Sequence, residues 1–355
     1  MKGNFQLIIL IVFIAAAVFG ILVFSGAIPL GKSTSGSLGT VILWGTVPTG
    51  AISAPLDDFN KANPTFVLKY VEKSADTFDQ DLLEALASGQ GPDLFFLPDN
   101  LVFHYSNKIL AIPDASYPVS NFKNIFAGAG EVFLSDKGIA AFPMSIDPLM
   151  LYYNRSLLDA GGVVYPPATW DDLGPMIPAL TEKDSTNKIL KSAIGLGQFS
   201  NITHAKDIVA TLFMQAGNPI VQEQNGIFTS ALDSPIGSYN LPSILKFYTD
   251  FANPNSPAYS WNKSFVNSDD VFSSGKLAFY FGFASELQTL VNKNPNQDFF
   301  VSAMPQIKNS SFKLTGARVT GVAVSSASKN PSTAVTAAYL LSTSDFAAKF
   351  ASATG

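Results

Sequence analysis

The sequence predicts an α/β protein with a parallel, helix-covered sheet, carried behind an N-terminal membrane-spanning segment. Two observations predict it. An apolar run extends from Phe5 to Phe24, with no charge between Lys2 and Lys32. Beyond it, short wholly apolar stretches alternate with helically periodic ones between Thr40 and Leu97.

The N-terminal run comes first. Leu7 to Phe24 holds no polar residue, and about 20 apolar residues match the thickness of a bilayer core. Lys2 precedes the run, so charge asymmetry places residues 1–4 in the cytoplasm and everything after Lys32 outside. Cleavable signal sequences have apolar regions of roughly 7–15 residues. Residues 5–24 therefore read as a retained anchor rather than a cleaved signal, followed by a linker over 25–39.

Thr40 to Trp44 is an apolar run that reads as a buried strand, broken by the loop Gly45 to Gly50. Ala51 to Asn63 carries Ile52, Leu56 and Phe59 at helical spacing and closes at Asn63-Pro64. Phe66 to Val71 is a second strand, Phe78 to Ser88 a helix, and Pro92 to Leu97 a third strand before the loop Pro98-Asp99-Asn100. Strands buried on both faces with helices between them imply a parallel sheet. Ligands of such sheets sit beyond the carboxyl ends of the strands, here Trp44 to Gly50 and Pro98 to Asn100. Gly138 to Tyr153 reads as two strands separated by Pro143 to Pro148, with a short helix over Asn154 to Ala160. Thr169 is placed as an N-cap, with Asp171 and Asp172 at the positive helix end. Helices are expected over Ala205–Gln215, Leu241–Phe251, Asp269–Ser274 and Pro331–Leu341, and strands over Lys276–Phe281, Phe299–Met304 and Val319–Ser325.

Composition excludes several functions. A net charge of −5 without a basic block argues against a nucleic-acid partner. Zero cysteines exclude disulfides, thiolate zinc sites and a lipidated N-terminus. His104 and His204 stand apart from any metal-ligand spacing, so neither a metal nor another cofactor is expected. The abundance of aromatics, 29 Phe, 11 Tyr and 3 Trp, exceeds what a core needs and leaves some for a cleft. Gly195-Leu196-Gly197 is no dinucleotide fingerprint, and no Gly-x-Ser-x-Gly elbow is present.

Five segments, in this order, carry a resemblance. They are Val41 to Trp44; Gly89-Gln90-Gly91-Pro92-Asp93-Leu94-Phe95-Phe96; Ile139 to Asn154 with Pro143 and Tyr152-Tyr153-Asn154; Pro167-Ala168-Thr169-Trp170-Asp171-Asp172-Leu173; and Phe272 to Phe279. Together they resemble the family 1 extracellular solute-binding proteins of ABC importers, the maltose-binding-protein type. The resemblance implies a two-lobe periplasmic-binding-protein (type II) fold with a multi-strand hinge and a ligand between the lobes. Lobe 1 would span 38–147 plus 301–350, and lobe 2 would span 148–300. Members of the family continue for several dozen residues past the position of Gly355, so the resemblance implies either C-terminal truncation, with tail helices of lobe 2 missing, or a reduced lobe 2, and truncation is the preferred reading.

Carried over residue by residue, the resemblance places Trp44, Thr46 and Thr49 after the first strand, and Asp99 and Asn100 after the third. It places Asp147 at the lobe crossing and Phe283 where relatives often carry a sugar-stacking Trp; Phe199 and Asn201 are a vaguer match in the loop after Ile194. Carboxylates and amides suit vicinal hydroxyls, and aromatic faces suit the C–H side of a sugar ring. Four of these have a structural alternative: Trp44 and Phe283 as core, Asp99 as a helix cap and Asp147 as a turn former; Arg318 pairs with a ligand carboxylate or, the preferred reading, with a surface acid.

The function implied is capture of a mono- or oligosaccharide by a monomer that closes over it and delivers it to an ABC permease. The chain lacks a phosphate-binding loop, so it is not the ATPase. A membrane-anchored sensor is the alternative. A glycoside-active enzyme using Asp99 and Asp147 is a further one, since hydrolysis needs two carboxylates about 5–10 Å apart.

Overall fold

The computed structural model describes residues 39–354 apart from 225, 226, 235 and 238. In chain order the elements are β1 (Thr40–Gly45), α1 (Thr49–Ala62), β2 (Val67–Glu72), α2 (Phe78–Ala87), β3 (Leu94–Pro98), α3 (Val119–Ile125), β4 (Leu134–Ser135), β5 (Gly138–Ile139) and β6 (Ala141–Asn154). Then come α4 (Arg155–Ala160), α5 (Leu173–Leu180), β7 (Glu182–Lys183), β8 (Ile189–Ile194), α6 (Ala205–Gln215), β9 (Val221–Gln224), β10 (Ile227–Ser230) and α7 (Leu241–Asp250). The last are α8 (Ser268–Ser273), β11 (Leu277–Phe283), α9 (Leu287–Lys293), β12 (Phe299–Ser302), β13 (Ala317–Val324), α10 (Pro331–Leu341) and α11 (Ser344–Thr354).

One mixed sheet runs through both lobes in the order β2-β1-β3-β13-β6-β11-β8-β7, with β12 also paired to β6. β1 pairs in parallel with β2 and β3, and β11 in parallel with β8. Side-chain alternation along the first lobe's strands explains why both of its faces are covered. Leu94 and Phe96 of β3, with Val322 and Val324 of β13, face a cluster closed by Ile52 and Phe59 of α1, Ala334 and Leu341 of α10, and Phe346 and Phe350 of α11. Phe95 and Leu97 face the other way, onto Phe78, Leu82 and Leu86 of α2. The second lobe has its own core, in which Leu151, Ile194, Phe213, Phe251, Trp261, Phe279 and Phe281 are buried together.

Strand β6 departs from the sequence expectation. Instead of two strands parted by Pro143 and Pro148, residues 141–154 form one continuous strand. Both prolines sit where the ladder asks no donor of them. Pro143 flanks the register shift against β13 between Thr320 and Gly321. Pro148 is the last residue paired to β13, and the next one, Leu149, already pairs with β11. Proline is tolerated in a sheet at such irregularities. Asn154 ends the strand and caps α4 by accepting the Leu157 N–H at 3.1 Å.

The expected single-pass membrane placement is corrected. Among the described residues no helix is long and apolar enough to cross a membrane, and the segment read as the anchor, 5–24, lies outside them, as do the stub 1–4 and nearly all of the linker.

Candidate functional site

The strand register brings functional side chains to one place. β13 runs antiparallel to β3 with Thr320 opposite Pro98, so its first residues lie just beyond the carboxyl end of β3. β11 runs antiparallel to the second half of β6 with Phe283 opposite Leu149, so its carboxyl end also meets the middle of β6. The carboxyl ends of parallel strands from both lobes therefore converge on Asp147-Pro148. A doubly wound sheet offers ligands such a crevice.

Asp147, Arg318, Phe283 and His204 meet there. Asp147 accepts the Ser285 N–H at 2.9 Å on one oxygen and the Ser285 hydroxyl at 2.7 Å on the other. The Arg318 guanidinium carbon lies 3.6 Å from the centroid of the Phe283 ring. The Phe283 ring and the His204 imidazole pack perpendicular to each other, with centroids 4.9 Å apart at 87°. Arg318 also lies 3.7 Å from Asp207, in the first turn of α6, where a carboxylate suits the positive helix end.

Glu286 organises the lobe-2 wall. Its Oε1 accepts the Phe283 N–H at 3.1 Å and contacts His204 Nε2 at 2.5 Å, while its Oε2 accepts the Tyr280 hydroxyl at 2.6 Å. Gly282 makes this turn-back possible, because a Cβ there would stand 2.5 Å from the Tyr280 ring and 2.9 Å from Glu286 Oε2. Burial alone would lower the His204 pKa, but Asp207 and Glu286 outweigh it and raise it to about 9. Glu286 is the hydrogen-bonded partner; Asp207 at 3.7 Å acts as a neighbouring charge. For Glu286, burial pushes the carboxyl up and the hydrogen bonds from His204 and Tyr280 pull it below the usual range. Asp99 shows the opposite balance. Its burial outweighs the Asn100 and Val319 N–H groups and the Arg318 charge, so its pKa is raised.

The other expected residues divide. Asn100 and Thr46 are exposed in the loops after β3 and β1. Thr49 opens α1 and gives both its N–H and its hydroxyl to Glu72, each at 2.7 Å. Trp44 is core: it is buried with Phe78 and Leu82, and the Lys73 ammonium covers its ring at 3.9 Å. Phe283 is 2 % exposed and lies under Arg318, which leaves no open face for a sugar. Phe199 is 76 % exposed. Asn201 is consumed inside its own loop: its amide donates to the carbonyls of Asn262 and Phe265 and accepts from the Trp261 indole. Sequence reasoning missed His204, Asp207 and Glu286; for Arg318 it preferred an acid at the surface, and the structure sets the side chain, 54 % exposed, near Asp207. The i, i+3 spacing of His204 and Asp207 was the available signal.

A second concavity of about 380 Å³ lies within the second lobe, between Trp170, Leu212, Ile244, Phe247 and Ile307. Its lining comes from one lobe, and it lacks the convergence of strand ends. Among the described residues no group of three His, Asp or Glu side chains is disposed to hold a metal ion.

Three solved structures share the fold. A cyclo/maltodextrin-binding protein complexed with maltotetraose has a TM-score of 0.70 at 18% identity, over 91% of this chain and 79% of that one. The maltose-binding periplasmic protein of Listeria monocytogenes, in complex with maltose, gives 0.65 at 19% identity, over 89% and 78%. An ABC substrate-binding protein of the same organism, in complex with cycloalternan, gives 0.63 at 20%, over 88% and 77%. At these identities the likeness carries the fold, and the sugars belong to those proteins. A curated binding protein of Brucella abortus (strain 2308) is 24% identical over 255 residues, covering 70% of this chain; the chain spans 57% of the length of that relative. Residues 45–345, most of the chain, match the family described as bacterial extracellular solute-binding protein, and the chain belongs to that family.

Proposed function

We propose that the protein captures a carbohydrate in the crevice at Asp147-Pro148 and hands it to an ABC permease by closure of its lobes. The observation that carries the reading is the convergence of strand carboxyl ends from both lobes on a crossing lined by Asp99, Asp147 and Arg318. In this reading residues 39–147 plus 317–350 form one lobe and 148–316 the other; the boundary expected at 301 moves because β12, Met304 and Ile307 pack with the second lobe. A ligand that touches both binds the closed form better and shifts the population toward it, the hinge closure known for periplasmic binding proteins. Sugars bound to the three structural relatives support a carbohydrate over a polyamine or an amino acid.

Binding rather than catalysis is the role. Both oxygens of Asp147 accept from Ser285, which gives the carboxylate a positioning role at the crossing. Asp99 and Asn100 offer polar groups to hydroxyls. Thr46 and Phe199, exposed in neighbouring loops, are secondary candidates.

Thermal unfolding against mono- and oligosaccharides, polyamines and amino acids tests the reading. A ligand at 100 times its dissociation constant adds about 2.7 kcal/mol of stability. A shift with one sugar class supports the proposal; a shift confined to polyamines or amino acids overturns it.

A further inference from the structure

We infer that Arg318 is the residue that reads the ligand, offering a guanidinium plane where relatives were expected to offer an aromatic ring, and that the cleft it serves selects neutral polyols over anionic solutes. The inference rests on the crevice at Asp147-Pro148 being the ligand site.

Position comes first. Arg318 is the second residue of β13 and the register partner of Asp147, so its backbone is fixed at the lobe crossing. Its side chain reaches over the carboxyl end of β11, with the guanidinium carbon 3.6 Å from the Phe283 centroid. At that separation the guanidinium lies against the ring face. Phe283 cannot stack on a ligand from that side, and what the cleft meets is the outer face of Arg318, whose side chain is 54 % exposed. A guanidinium is planar and weakly hydrated, and it stacks on flat apolar surfaces while its edges donate. It therefore supplies both halves of sugar recognition, a face for C–H groups and N–H donors for hydroxyl oxygens.

Those donors are available. Among the described residues the one carboxylate within 4 Å of the guanidinium is Asp207, at 3.7 Å, beyond hydrogen-bonding distance. Phe283 holds the group in place from below, itself fixed by Glu286 at its N–H and by the perpendicular His204 ring. A side chain so supported loses little freedom when a ligand arrives.

Charge sets the selection. Asp99, Asp147, Asp207 and Glu286 surround the crossing, against Arg318 and His204. An anionic solute meets an excess of carboxylates, whereas a cationic one is not opposed by this balance, which makes spermidine the competing probe. A neutral polyol meets alternating donors and acceptors, with Arg318 donating and Asp99 accepting, in the manner vicinal hydroxyls satisfy.

Calorimetric titration of wild type, R318K, R318M and R155M with a series of neutral mono- and oligosaccharides, trigalacturonate and spermidine tests this. Arg155 pairs with Asp159 on the surface and serves as the control. The expected result is binding of a neutral sugar by wild type and R155M, and a roughly tenfold or greater loss in both R318K and R318M, as for a lost charge-assisted hydrogen bond. The failure of lysine to rescue identifies the plane rather than the charge. Cooperative unfolding of R318K confirms that a loss is not misfolding. Neutral-sugar binding by R318M within twofold of wild type overturns the arginine assignment and leaves carbohydrate capture standing. Preference for trigalacturonate overturns the charge selection alone. A wild type that answers only spermidine, or no probe, overturns carbohydrate capture and this inference together.

Discussion

Arg318 and Asp147 are register partners on β13 and β6, yet among the described residues no ion pair closer than 4 Å joins them. Each is turned to a different neighbour. Asp147 is held by the backbone and side chain of Ser285, and Arg318 lies on Phe283. The crossing strand is thus fastened to the second lobe by a carboxylate, while the cation is left facing the cleft.

The Asp147–Ser285 clamp has a measurable cost of removal. D147A removes both acceptors of Ser285, which is exposed, and is expected to lower stability by about 0.5–1.5 kcal/mol. Urea unfolding followed by tryptophan fluorescence reads it. An unchanged midpoint would mean that water replaces the carboxylate fully.

His204 makes stability depend on pH on the alkaline side. Its folded pKa, about 9, stands above its ordinary 6.5. The protonated form is favoured by folding, so its contribution is complete below pH 6.5 and is lost as pH rises through 9. The shift corresponds to roughly 3 kcal/mol as an upper bound. Melting temperatures of wild type should fall between pH 6.5 and 9, and H204Q should flatten that slope. On the acid side, Glu286 and Asp207, both held below their ordinary pKa values, withdraw their contributions as pH falls.

Asn201 is expected to matter for folding rather than for ligand. N201A strands two carbonyls and the indole N–H of Trp261, a side chain with no exposure. A loss of about 2–3 kcal/mol follows from unpaired buried groups. The sugar-induced shift in melting temperature should survive in the variant; its disappearance would return Asn201 to the binding set.

Asp93 gives the Gly91-Pro92-Asp93 segment a structural purpose. It accepts the Ile42 N–H at 3.0 Å and the Ser328 hydroxyl at 2.5 Å, tying β1 to the loop after β13. D93A should cost about 2 kcal/mol by chemical denaturation, with ligand affinity unchanged.

Much of the fold was legible because its signals are local. Wholly apolar strands such as Leu94 to Leu97 and periodic helices such as Ala205 to Gln215 declare themselves within a few residues. β6 was misread because proline punctuates a sequence by rule, and only the change of strand partner at Pro148 shows why the rule is relaxed there. The site was legible in part. Asp99, Asp147 and Phe283 were located through the resemblance, but their surroundings come from sequence-distant chain. Glu286 reaches His204 across 82 positions, and Ser285 reaches Asp147 across 138. No periodicity carries such pairings. Trp44 shows the converse: an aromatic at a strand end reads equally as cleft wall or core, and only the fold, with the ammonium of Lys73 over the ring, decides for core.

The continuity of β6 constrains how the two halves can move. A strand that passes without interruption from one sheet partner to the next acts as a shared axle, not as a slack tether. Pro148, at the changeover, has one backbone torsion locked by its ring. In the proposed closure, rotation at this crossing draws on the few remaining torsions around Pro148 and on the return segment between β12 and β13. A joint so restricted would favour a twist along a narrow path, bringing the same two walls to the solute at each closure.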